Sequence, residues 1–229
     1  MKKGRILYVF LFGLFLMSSC FEPPVLPPEP SIKLKSYEFK PSPIEGFDSL
    51  IIEVNFEDGD GDLGLTTFDT IPPYNDFYFY VDDDGNLIKY DSTDSSFPPF
   101  SCVDYEPIIT TNNDGTKTVE YYYVLRNEDH YNFFLDFYVK NSAGDFEKYD
   151  FLVERCGPDL QASPGFNGRF FPLNSSGKTR PLEGILRYGI QSGFKFLFTN
   201  KTLKLRIQIQ DRALHKSNVV WTKEFTLDV

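Results

Sequence analysis

The densest run of chemically capable side chains is Phe56-Glu57-Asp58-Gly59-Asp60-Gly61-Asp62-Leu63-Gly64. Asp58, Asp60 and Asp62 alternate with glycine directly after a stretch in which Ile52, Val54 and Phe56 alternate with Glu53 and Asn55. Three carboxylates this close repel one another unless a cation lies between them. Calcium takes roughly six to eight hard oxygen ligands, and alternating Asp in a glycine-rich turn can converge on one ion. The run therefore predicts a calcium-stabilised loop between strands. An exposed acidic turn and a catalytic metal site are the competing readings.

The segment resembles the start of a calcium-binding EF-hand loop. Asp58, Asp60 and Asp62 stand at its first, third and fifth ligand positions, and Asp69 at its twelfth. The resemblance implies Asp69 as a further ligand. It departs from that family at Leu63, where the loop needs Gly, and at Asp69, where it uses Glu. The flanks read as strand and coil rather than helices. A second acidic turn, Asp82-Asp83-Asp84-Gly85-Asn86, either donates to the same ion or forms a solvated hairpin tip.

Other chemistry finds little support. His130 sits in a polar turn before a strand and His215 in the terminal hairpin, neither beside a residue that would position it as a general base. The sequence carries no Gly-x-Ser-x-Gly elbow, no P-loop and no His-Glu-x-x-His. With 33 acidic residues, paired carboxylates for glycoside hydrolysis arise by abundance alone. The expectation is a non-catalytic protein. A net charge of −10 argues against nucleic acid, which needs a basic footprint. Three Cys and two His leave little for zinc.

The elements that must position the Asp run are strands. Leu203, Leu205, Ile207 and Ile209 alternate with Lys204, Arg206, Gln208 and Gln210, the period of a half-buried strand. Strands are predicted near 31–39, 49–56, 76–82, 86–90, 106–112, 117–125, 132–140, 145–154, 182–190, 202–211 and 219–228. Asp84-Gly85, Asp114-Gly115 and Ala143-Gly144 are the expected hairpin turns. No stretch of about twelve residues shows helical amphipathicity. The fold class is all-β, an antiparallel β-sandwich with long loops. Phe is abundant, with 24 copies against a single Trp, which suits a packed core better than a sugar platform. Phe166, Phe170 and Phe171, in a Gly/Pro-rich stretch, are expected to plug that core, the alternative being a patch for a partner.

The N-terminus reads as an address. Lys2, Lys3 and Arg5 precede the apolar run Ile6–Met17, too short for a bilayer core that needs roughly twenty helical residues. Leu16-Met17-Ser18-Ser19-Cys20 resembles the lipobox of bacterial lipoproteins. That resemblance implies a signal peptide over 1–19 and a Cys20 carrying fatty acyl chains of the palmitate kind. Residues 20–30, with five prolines in Phe21–Pro30, form an extended tether, and 31–229 the sandwich domain. The alternative division is two halves, 31–156 and 181–229, joined by the Gly/Pro-rich 157–180. With Cys20 lipidated, an exported chain pairs Cys102 with Cys156, closing a loop of about 54 residues worth roughly 4 kcal/mol in the chain-entropy picture; two free buried thiols are the other reading.

Near the C-terminus, Gln210-Asp211-Arg212-Ala213 and Ser217-Asn218 before Val219-Val220-Trp221 resemble the last hairpin of bacterial immunoglobulin-like domains. Together with the Asp-Gly run and the lipobox, the chain resembles envelope lipoproteins of Bacteroidota. The resemblance implies an outer-membrane, lipid-anchored scaffold or binding module. It leaves open the leaflet and whether the partner is an envelope protein or, in a polysaccharide-uptake system, a glycan.

Overall fold

A computed structural model describes residues 26–44, 46–151, 165–174 and 177–227. The signal peptide, Cys20, most of the tether, Cys156 and the end of the strand expected at 145–154 lie outside the described residues. The described residues are nearly all β, and every sheet among them is antiparallel. No helix among the described residues is long and apolar enough to cross a membrane.

The first sheet is β1 (Ser31–Lys40), β2 (Asp48–Asp58) and β8 (Leu182–Ser192), with β2 in the middle. Along β2 every second residue is buried: Asp48, Leu50, Ile52, Val54, Phe56 and Asp58. Ile32 and Leu34 of β1 turn inward at even positions, whereas Tyr37 and Phe39 do so at odd ones. The change of parity falls at a register shift between Leu34 and Ser36. That bulge adds one residue and keeps the apolar side chains on the core face.

The second sheet is ordered β10 (Val220–Trp221), β9 (Thr202–Ile209), β6 (Phe133–Lys140) and β7 (Phe146–Lys148), with β11 (Phe225–Thr226) also pairing β9. Leu203, Leu205, Ile207 and Ile209 are fully buried, as the alternation requires. Both sheets contribute to one core, in which Phe137 stacks on Phe198 with centroids 5.0 Å apart and Phe133 on Tyr188 at 3.9 Å. Because β8 pairs β2 and β9 pairs β6, residues on either side of 157–180 share the same sheets and the same core. Phe170 is buried in that core and Phe166 packs against it, whereas Phe171 is exposed.

The expected strands at 76–82 and 219–228 shorten to β3 (Phe77–Phe79) and the β10/β11 pair. At 86–90 only the isolated bridges Val81↔Leu87 and Lys89↔Tyr122 form. Among the described residues one short α-helix, α1 (Phe194–Phe198), was absent from the sequence expectation; it buries Phe194, Leu197 and Phe198 under the sandwich. Five residues are too few to show a helical period.

A third sheet, β3, β5 (Lys117–Arg126) and β4 (Tyr105–Thr111), is inserted between β2 and β6. It packs its own rings: Tyr105 lies against Tyr90, Phe100 and Tyr123 with centroids 5.2 to 5.7 Å apart. The Asp114-Gly115 and Ala143-Gly144 hairpins form as expected, with Gly115 and Gly144 at positive φ.

Candidate metal centre

Asp58 and Asp211 arrive by the same rule from opposite sheets. Asp58 is the last inward residue of β2, following Val54 and Phe56. Asp211 continues the inward row Leu203, Leu205, Ile207, Ile209 of β9 by one more step of two. The two rows end at the same end of the sandwich, with a carboxylate where the alternation would otherwise place an apolar side chain. The chain beyond β2 then turns, bringing Asp60 and Asp62 to the same place. Carboxylate oxygens of Asp58, Asp60, Asp62 and Asp211 all lie within 4.8 Å of one another.

Burial makes this cluster unusual. Asp58 is 0% exposed and Asp211 2%, with Asp60 and Asp62 half-buried or better. Neither oxygen of Asp58 has a hydrogen-bond partner of normal geometry, nor does Oδ1 of Asp60. Asp48, at the other end of the same strand face, shows the usual solution. It is equally buried, yet it accepts from the amides of Ser42 at 3.0 Å and Lys195 at 3.1 Å, with the Lys195 ammonium at 3.9 Å. Buried carboxylates are ordinarily satisfied in this way.

The electrostatics follow. Burial, then the charges of Asp60, Asp62 and Asp211, push the Asp58 carboxyl up to about 7, with the nearby Asp62 amide pulling the other way. Burial and the charges of Asp211 and Asp60 raise Asp62 to about 6. Burial also raises Asp211, opposed by hydrogen bonds from His215, whose amide donates to Oδ1 at 2.7 Å and whose Nδ1 lies 2.9 Å from Oδ2. The Arg212 guanidinium is committed to Asp69. Four crowded carboxylates, of which Asp58 and Asp60 have unpartnered buried oxygens, fit a cation, and the cluster could hold a metal ion. An all-oxygen donor set belongs to hard ions such as calcium, magnesium or manganese rather than zinc.

The glycines in the run serve close approach. A Cβ on Gly59 would stand 2.3 Å from the carbonyl oxygens of Leu26 and Pro27, and one on Gly61, at φ +71°, 2.2 Å from the carbonyl of Arg180. Backbone thus clasps the loop on both sides. The Arg180 amide donates to Asp60 O, Leu173 to Leu63 O, and Leu65 to Phe170 O.

Asp69 is not a member of the cluster, which corrects the expectation drawn from the EF-hand likeness. Its carboxylate accepts from the Thr66 amide at 2.7 Å and from both Arg212 amino groups at 3.0 and 2.9 Å. The Arg212 side chain beside it, foremost, holds its carboxyl well below the usual range. After Asp62 the chain runs out against residues 170–173 instead of wrapping into a compact loop, so a spacing counted along the sequence does not return to the carboxylate cluster. Asp211, far away in sequence, takes the fourth place. Its signal was the alternation of β9 carried two residues past Ile209.

The second acidic turn stays apart. Asp82 is exposed and accepts from the amides of Asp84 and Asn86 within its own turn. His130, lowered by burial and then by the Arg169 charge, has Nδ1 3.1 Å from Tyr74 O and 2.8 Å from the Arg169 guanidinium. Arg169 also donates to Thr66 O, Asp69 O and Tyr74 O, fastening the inserted sheet's connections to the sandwich. Cys102 is disulfide-bonded, and its expected partner, Cys156, lies outside the described residues.

No protein-family model, no curated protein and no solved structure matches this chain.

Proposed function

We propose that the chain is a lipid-anchored, non-catalytic envelope lipoprotein of the outer membrane. In this reading Cys20 carries the anchor after removal of a signal peptide. An immunoglobulin-like β-sandwich then acts as a scaffold or binding module, with calcium at the four-Asp centre as a structural cofactor. The order of the N-terminal residues supports the anchor. The observation that carries the structural role is Asp58, a carboxylate at the end of a core-facing row, 0% exposed and with both oxygens unpartnered. A group so placed contributes to closing the sandwich rather than to meeting a substrate. Calcium fits because it accepts several carboxylates in flexible geometry, whereas magnesium retains much of its water.

The test is calcium addition to the chelator-treated full chain, followed by its melting temperature. A rise that is lost in Asp60→Ala supports the centre. No rise, or an equal rise in Asp60→Ala, removes it. A second reading, a glycan-binding accessory, is favoured by exposed rings on the inserted sheet and at the sandwich edge. Tyr78, Tyr80 and Trp221 are 41%, 38% and 45% exposed, and Tyr80 stacks on Tyr123 at 4.4 Å. Rings half free of the core are available to stack on a sugar. Glycan-array binding weakened in Tyr80→Ala would select this reading, and no binding would remove it.

A further inference from the structure

The segment that leads into β1 lies against the four-Asp centre. Leu26 and Pro27 place their carbonyl oxygens where a Gly59 side chain would otherwise stand, 2.3 Å from its missing Cβ. Pro30 is buried at the point where the segment enters β1. Asn218 closes the other side, accepting from the Ile32 amide at 2.8 Å and donating to the Ile32 carbonyl at 2.9 Å. The lead-in from 26 to 30, with the start of β1 that it runs into, is therefore held between the Asp–Gly loop and the terminal hairpin, the two pieces that supply all four carboxylates.

This arrangement is electrostatically awkward without a cation. The carbonyl oxygens of Leu26 and Pro27 are the negative ends of two peptide dipoles, and they approach a loop already carrying Asp58, Asp60 and Asp62. The contact tolerates no slack, because Gly59 has neither a side chain to rearrange nor space in front of it. Anything that spreads the carboxylates moves the Gly59 backbone and the surface on which the lead-in rests.

We infer that the four-Asp centre is a calcium-operated latch that fixes the lead-in segment, residues 26–30, to the end of the sandwich. The inference rests on the calcium reading given above and adds its consequence. With the ion bound, loop, terminal hairpin and lead-in form one rigid end, and the direction in which the chain leaves toward its N-terminus is set by the domain. With the ion removed, repulsion among the carboxylates loosens the loop and the lead-in is freed, while the two core sheets persist. The ligand is a hard divalent cation, and the lead-in is the part that responds.

Residue-resolved amide exchange on the full chain tests this, comparing chelator with excess calcium chloride, and calorimetry in parallel reports calcium uptake. Calcium is expected to slow exchange at Leu26 and Glu29 by about tenfold or more, with β9 amides such as Leu205 slow in both conditions. Pro30→Gly, which removes a buried proline of the lead-in and leaves the Asp–Gly loop untouched, is expected to keep calcium uptake and slow β9 exchange but to lose the protection at Leu26 and Glu29. Calcium uptake with unchanged exchange at Leu26 and Glu29 overturns the latch and leaves the calcium centre standing. Protection retained in Pro30→Gly also overturns the latch. No calcium uptake overturns the centre and the latch together.

Discussion

Replacing Asp58 by Asn should stabilise the metal-free protein and destabilise the calcium-bound one relative to wild type. The substitution keeps the shape and removes a charge from a site with no exposure and no hydrogen-bond partner of normal geometry. The Asp58 carboxyl stands at about 7 in the folded chain against an ordinary value of 3.8. A raised folded value means that this group's contribution is fully present below about pH 4 and is lost as pH rises through about 7. Asp62, raised to about 6, acts in the same direction. Ionising Asp58 in the metal-free fold at pH 8 thus costs up to about 4 kcal/mol, and nearer 2 to 4 once its coupling to three other acids is allowed for. For a chain of this size about 2–4 °C accompany each kcal/mol. Metal-free Asp58→Asn is therefore expected to melt roughly 4–16 °C above wild type at pH 8 and near it at pH 4. Saturating calcium replaces the protons and should reverse the order, since a free ligand at about a thousand times its dissociation constant stabilises by about 4 kcal/mol. Differential scanning calorimetry at both pH values, with chelator and with calcium, reads all four combinations. A metal-free Asp58→Asn protein less stable than wild type at pH 8 would refute the claim that this carboxylate is an uncompensated buried charge.

Three further outcomes follow from other contacts. Asp69→Ala should lower stability by about 1–3 kcal/mol while keeping the calcium-induced rise in melting temperature, because its carboxylate serves Arg212 and Thr66 rather than the centre. Its depressed folded value means that this contribution is present above about pH 4 and lost on acidification below it, so wild type and variant should converge in acid melts. Gly64→Ala should cost several times more than Gly85→Ala in urea titrations: both have positive φ, but a Cβ at Gly64 would stand 2.3 Å from the Pro172 Cα whereas one at Gly85 meets nothing within 4 Å. Cys20→Ala should move the protein from the membrane pellet to the soluble fraction on cell fractionation, and retention in the pellet would remove the lipid anchor.

The alternation of β2 and β9 was legible because each strand has one wet face and one buried face, and that same periodicity carries the site. Asp58 is the next inward position after Phe56, and Asp211 the next after Ile209. Their meeting depends on the facing of two sheets across a core, which no local spacing encodes, and so a local template placed Asp69 where Asp211 belongs. His215 was hidden for the same reason: its partner matters only once Asp211 is known to be buried. The helix at 194–198 has too few residues to show a period, and its Phe-rich sequence reads equally well as core strand. The glycines of the acidic run were visible as turn formers. Their tight contacts with Leu26, Pro27, Arg180 and Pro172 emerge only from segments distant in sequence.

The most direct test of the central claim is calorimetric titration of calcium into the chelator-stripped full chain, with elemental analysis of the bound metal. The account predicts saturable uptake of one calcium per chain, accompanied by proton release near neutral pH and abolished in Asp58→Asn and in Asp211→Asn. Absence of uptake, or equal uptake by both variants, would contradict the reading of Asp58, Asp60, Asp62 and Asp211 as a single cation centre.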